Sequence, residues 1–102
     1  MCSFEKEVDA CISEMHGKIE EISDFIFHHP ELGDEEFVSS KYLADLLRDN
    51  GFHVEYPYSG IETAFRADFG DSEGPKIGFL AEYDALPGYG PGKLPAHACG
   101  HN

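Results

Sequence analysis

The chain has 102 residues and is either one small domain or a piece of a larger one. Apolar residues make up 41% and aromatics 13%, which excludes disorder throughout. Twenty acidic against seven basic side chains give a formal charge of −13, a balance that disfavours nucleic acid and anionic membrane surfaces as partners. No apolar run approaches the length of a membrane span. The start, MCSFEKEVDAC, has no uninterrupted apolar stretch, so a signal peptide is not expected. Three widely spaced cysteines (Cys2, Cys11, Cys99) without such a signal imply reduced thiols and a cytoplasmic location.

Residues 3–28 read as a first helix. Phe4, Val8, Cys11, Ile12, Met15, Ile19, Ile22 and Ile26 recur at steps of three and four, forming one apolar stripe. Gly17 is its weak point, costing roughly 1 kcal/mol against alanine. Pro30 ends the segment by disfavouring helical geometry at His29, and His28 and His29 suit the negative end of the helix dipole. A second helix opens after Gly33, with Asp34 as N-cap and Glu35 and Glu36 in its first turn. Phe37, Leu43, Leu46 and Leu47 give it an apolar face, and Gly51 takes the left-handed position after it.

Three strands are expected next. Residues 52–56 (FHVEY) and 63–69 (TAFRADF) alternate as half-exposed strands do, with His53 facing solvent. Residues 70–75 form a turn cluster. The nearly continuous apolar run 76–81 (KIGFLA) has the pattern of a strand buried on both faces. Two helices followed by three strands indicate an α/β architecture. From residue 82 onward, glycines and prolines interrupt every period, and so long an irregular stretch is uncommon unless it serves a function.

That stretch holds the candidate chemistry. Glu82 and Asp84 lie just past the end of an apolar strand, where open α/β sheets place ligands, although both could equally be solvated turn acids. Cys99 and His101 flank Gly100 in HACGHN, residues 97–102. A thiolate and an imidazole are good ligands for zinc and its neighbours. Two donors do not close a tetrahedral site, and the same residues could be a small buried thiol and a loop histidine. His97 is a possible third donor.

EYDALP followed by HACGHN resembles the signature of the M20 family of metal-dependent peptidases and amidohydrolases, in its amidohydrolase and dipeptidase-like subgroup. HHPELGDEEFVSSKYLADLLRDNGF and ETAFRADFG are similar to the segments that precede that signature, so the likeness runs from about Ile19 to Asn102. The resemblance implies a zinc-exopeptidase-like three-layer catalytic domain, of which this chain is the N-terminal part: two helices, then three strands of a mixed sheet. The lid or dimerisation domain is expected to be absent.

It also implies one or two divalent ions (zinc or manganese, with cobalt or nickel as options) and a catalytic glutamate that cleaves the amide bond of a small peptide or N-acyl amino acid. Cys99 and His101 match the family's metal ligands. Asp84 matches an acid that orients a metal-binding group. Other branches carry a histidine ligand where this chain has Glu82, which puts a ligand role there in doubt. The glutamate and remaining ligands are expected downstream of HACGHN, making this chain inactive alone. The alternative is a folded, non-catalytic module that binds metal or self-associates, with homo-oligomers as an option.

Overall fold

The computed structural model describes residues 3–70, 73–88 and 90–98, with only the backbone of Ser3. Its elements are three helices, α1 (Ser3–Glu14), α2 (His16–Phe27) and α3 (Phe37–Asp49), two strands, β1 (His53–Glu55) and β2 (Arg66–Asp68), and one 3₁₀ turn at Pro91–Lys93.

The first apolar stripe does form helix, but in two abutting pieces. Met15 (φ −89°, ψ 2°) interrupts the regular geometry, and its N–H is shared between the carbonyls of Cys11 and Ile12 at 3.0 and 3.1 Å. The break lies two residues before Gly17, the position with the poorest intrinsic propensity. At 1.5 Å per residue each piece is roughly 18 Å long. Only the C-terminal end of the stripe is covered. Ile26 is buried, whereas Phe4, Val8, Ile12, Met15 and Ile19 are all exposed.

His28 and His29 finish α2 as expected. Their Nδ1 atoms lie 2.7 and 2.6 Å from the carbonyl oxygens of Asp24 and Phe25, so each ring donates to the open end of the helix. His29 stacks on Phe25, and Phe25 stacks on Tyr42 of α3 with ring centroids 3.9 Å apart. This aromatic column fastens α2 to α3.

Asp34 is not the cap of α3. It adopts φ 66°, a left-handed turn conformation, and the position before the helix is Glu36, whose side chain makes no capping bond. The first N–H groups are satisfied instead from farther back: the Glu31 carboxylate accepts from the backbone N–H of Val38 and of Ser39, both at 2.8 Å. At the other end Gly51 (φ 91°) takes the left-handed position, and the Phe52 N–H returns to the Leu47 carbonyl at 3.0 Å.

β1 and β2 pair antiparallel with His53 opposite Asp68, Val54 opposite Ala67 and Glu55 opposite Arg66. The alternation read from the sequence holds: Val54 and Ala67 are half-buried, while the flanking polar residues, His53 among them, are exposed. Buried Ser40 of α3 shares a 2.6 Å hydroxyl hydrogen bond with Tyr56, just past β1.

The expected third strand is not formed. Residues 75–84 have no assigned secondary structure, and Ile77, Phe79 and Leu80 are 84%, 91% and 102% exposed. A strand is stabilised by its ladder partners and by the layers on its faces. No described segment runs beside residues 76–81, so an apolar composition alone does not make them a strand. The sheet is therefore two-stranded and purely antiparallel rather than a mixed sheet of three, and it follows three helices rather than two.

Candidate active site

The irregular C-terminal stretch is held by two short backbone pairings. The Ala85 N–H donates to the Glu31 carbonyl at 2.6 Å, within a parallel bridge between Leu32 and Ala85. Leu86 and Ala96 then exchange both backbone hydrogen bonds, at 2.9 and 3.0 Å, as an antiparallel bridge. Three segments thereby meet: Glu31–Leu32 before α3, Asp84–Leu86 and Ala96–His97. The EYDALP run therefore lies beside Ala96, the residue that precedes HACGHN.

Asp84 is half-buried at this junction, next to the fully buried Ala85. Glu82 is exposed. His97 follows the bridged Ala96, and both of its ring nitrogens are enclosed without a hydrogen-bond partner among the described residues. Its ring lies against Phe27, with centroids 6.5 Å apart. Cys99 and His101 lie outside the described residues.

The surroundings of Asp84 carry an excess of negative charge. Burial pushes the Glu36 carboxyl above its ordinary value, backbone hydrogen bonds at Glu36 and Glu35 oppose that, and Asp34 and Asp84 add to it as like charges. One carboxylate oxygen of Glu36, Oε1, is enclosed and unpaired among the described residues. Tyr83 is pushed up to about 12, chiefly by burial and further by Glu36, Tyr56 and Glu31 beside it. Its phenol therefore stays neutral and available as a hydrogen-bond donor at physiological pH.

These features suit a cation in chemistry and leave it incomplete in number. Glu36 and His97 each keep enclosed lone pairs without a partner among the described residues, and carboxylate oxygen and imidazole nitrogen are both donors that a divalent ion accepts. Among the described residues, however, no three His, Cys, Asp or Glu side chains converge closely enough to hold one. An open groove of about 560 Å³ lined by residues including Glu20, Asp24, Phe25 and Tyr42 contains none of the candidate residues.

Glu31, Glu36 and Tyr83 were not anticipated as parts of this junction. Glu31 sits in the HPEL run, where only its position in a family-like segment drew notice. Glu36 looked like an ordinary acid of a helix first turn. Neither periodicity nor spacing signals that a loop acid will be brought against a motif some fifty residues later.

No family model matches the chain. Individual relatives do. It is 37% identical over 107 residues to one of the subunits of p-aminobenzoyl-glutamate hydrolase of Escherichia coli, an alignment that takes in 93% of this chain. It is 35% identical over 104 residues to human Xaa-Arg dipeptidase, covering 90% of the chain, and 33% identical over 101 residues to hippurate hydrolase of Campylobacter jejuni, covering 89%. The chain belongs to the M20 family. That family is metal-dependent. The M20 likeness spans nearly all of the chain but only 22% of the length of the first two relatives and 26% of the third. The helices and the small sheet fit part of an M20 domain.

Proposed function

We propose that the chain contributes one side of an M20 amidohydrolase site, which hydrolyses the amide bond of a dipeptide or an N-acyl amino acid. The observation that carries this reading is the Leu86–Ala96 bridge, which brings the EYDALP run beside the residue just before HACGHN in an M20 sequence. Cys99 and His101 would hold the metal, zinc or manganese in the first instance. A divalent ion held there supplies Lewis acidity to the amide carbonyl and the attacking water. A thiolate ligand needs a reducing compartment, in keeping with a cytoplasmic location.

The roles of the chain's own groups follow from their environment. Asp84, fixed by the backbone bond from Ala85 to Glu31, acts as a positioning residue that accepts a hydrogen bond and orients a ligand. Glu36, with its raised affinity for a proton, adds acceptor capacity next to it. Tyr83 offers a neutral O–H. The remaining ligands and the glutamate that moves a proton to the leaving nitrogen belong to polypeptide equivalent to the rest of the relatives' length, so hydrolysis by these 102 residues alone is not expected.

The test is calorimetric titration of the reduced chain with zinc or manganese, with Cys99→Ser and His101→Ala in parallel. Binding that both substitutions abolish supports the half-site. Binding that neither affects would remove these two residues from the reading. A second reading, a non-catalytic module that associates with itself, is favoured by the exposed stripe of α1 and α2 and is taken up next.

A further inference from the structure

The exposed part of the first stripe has an internal symmetry. Phe4 and Ile19 are its outer members, Val8 and Met15 its inner ones, and Cys11 and Ile12 straddle its midpoint, so the apolar spacing is the same read from either end. At 3.6 residues per turn Phe4, Val8, Cys11 and Ile12 lie within an arc of about 100° on α1, and Met15 and Ile19 continue the stripe across the break onto α2. Phe4 is 69% exposed and the other four large side chains 40–54%. Contiguous apolar surface of this kind on a polar molecule marks an interaction site.

We propose that this stripe is a self-association surface, occupied by the same stripe of a second copy running antiparallel about a twofold axis at Cys11–Ile12. In that arrangement Phe4 meets Ile19 of the second copy and Val8 meets Met15 of the second copy at every level, large apolar side chain against large apolar side chain. A contact of this type is closed and symmetric, and it produces dimers rather than chains.

Charge selects the antiparallel orientation. The N-terminal half of the stripe is bordered by Glu5, Glu7 and Asp9, and the C-terminal half by Glu14, His16 and Lys18. Antiparallel copies place Glu7 on one flank within a helical turn of Lys18 of the second copy. On the other flank, His16 of the second copy falls between Glu5 and Asp9. Each contact occurs twice. Glu14 shares the flank of Glu7 but lies farther round the helix from the seam than Lys18 does. Parallel copies would instead set the three acids against themselves. Lys18 and His16 now pair within their own helix, with Glu21 at 3.5 Å and Glu20 at 3.0 Å, in exposed contacts that cost little to exchange.

The contact is short, and each copy carries a charge of −13, so the dimer is expected to be weak and to form in the upper micromolar range. Sedimentation equilibrium of the reduced full chain, from about 10 μM to 1 mM, tests it. A monomer–dimer equilibrium is expected, weakened about tenfold or more by Lys18→Glu and by Ile12→Asp, and restored to within about threefold by combining Glu7→Lys with Lys18→Glu. All three positions are exposed, and an unchanged helical circular dichroism spectrum confirms that the variants still fold. A strict monomer at 1 mM would overturn the proposal. So would a dimer indifferent to Lys18→Glu but lost in Phe79→Lys, which would place the contact on residues 76–81, and so would open-ended polymers.

Discussion

Glu31 holds Ala85 by its backbone and α3 by its side chain: its carbonyl accepts the Ala85 N–H at 2.6 Å, while its carboxylate takes the N–H groups of Val38 and Ser39 at 2.8 Å. One residue therefore fixes both the start of a helix and the strand-like turn that carries Asp84. Two bonds from a charged acceptor to open N–H groups make a strong cap, and the positive end of the helix dipole adds to it. Glu31→Ala is expected to lower stability by about 1–2 kcal/mol, and Glu31→Gln, which keeps one acceptor oxygen, by about half as much. Urea denaturation measures both. An unchanged midpoint for Glu31→Ala would show that water caps α3 equally well.

The Glu36 carboxyl gives a pH-dependent counterpart. Its affinity for a proton is higher in the folded chain than at its ordinary value of 4.5, first through burial and then through Asp34 and Asp84. For a group raised in this way, the stabilising contribution is complete below the unfolded value and disappears as pH rises through the folded one. Glu36→Gln, which cannot ionise, should be more stable than the parent at pH 7, and that advantage should vanish by pH 4. Denaturant midpoints at the two pH values decide the matter, and equal differences at both would mean that the substitution acts through packing alone.

The sequence showed clearly those elements whose stability is local. The helices follow from three- and four-residue periodicity, the turn at Gly51 from the need for a positive φ, and the half-exposed strands from alternation. What could not be read is what depends on partners distant in sequence. Residues 76–81 have a buried strand's composition but no ladder neighbour among the described residues, and α3 starts later than an Asp34 cap implies, its first N–H groups taken by Glu31 from seven and eight residues away. Apolar pattern shows which face seeks cover, not whether cover is present, and Val8 and Ile12 illustrate this as well as Phe79 does. For the site, the motifs point to Asp84, while the charge around it includes Glu36, an acid with no signature of its own.

The exposure of Ile77, Phe79 and Leu80 has a direct energetic consequence. A side chain open to water in the folded state loses nothing when it is replaced by a polar one, so Leu80→Asp should change stability by less than about 0.5 kcal/mol. In a strand buried on both faces the same change would cost several-fold more. The measurement is the chemical denaturation midpoint of the 102-residue chain. A loss of about 3 kcal/mol would mean that the run is covered in solution, and the exposed conformation would have to be given up.

Tyr83 offers the sharpest spectroscopic test of the junction at Asp84. Its phenol is pushed up to about 12, chiefly by burial and then by Glu36, Tyr56 and Glu31, against 10.0 in a freely solvated tyrosine. The folded chain therefore resists ionising this ring, and the unfolded chain does not. Stability from this source is complete below pH 10 and is lost between there and about pH 12. In an alkaline titration followed by phenolate absorbance, one of the five tyrosines should ionise late, or all should ionise together in a cooperative alkaline unfolding. Tyr83→Phe separates these outcomes: it should delete the late fraction in the first case and raise the alkaline unfolding midpoint in the second. If it leaves the titration curve unchanged apart from a proportional loss of amplitude near pH 10, Tyr83 is solvated, and the closely packed junction of Glu31, Glu36 and Asp84 around it does not exist in solution.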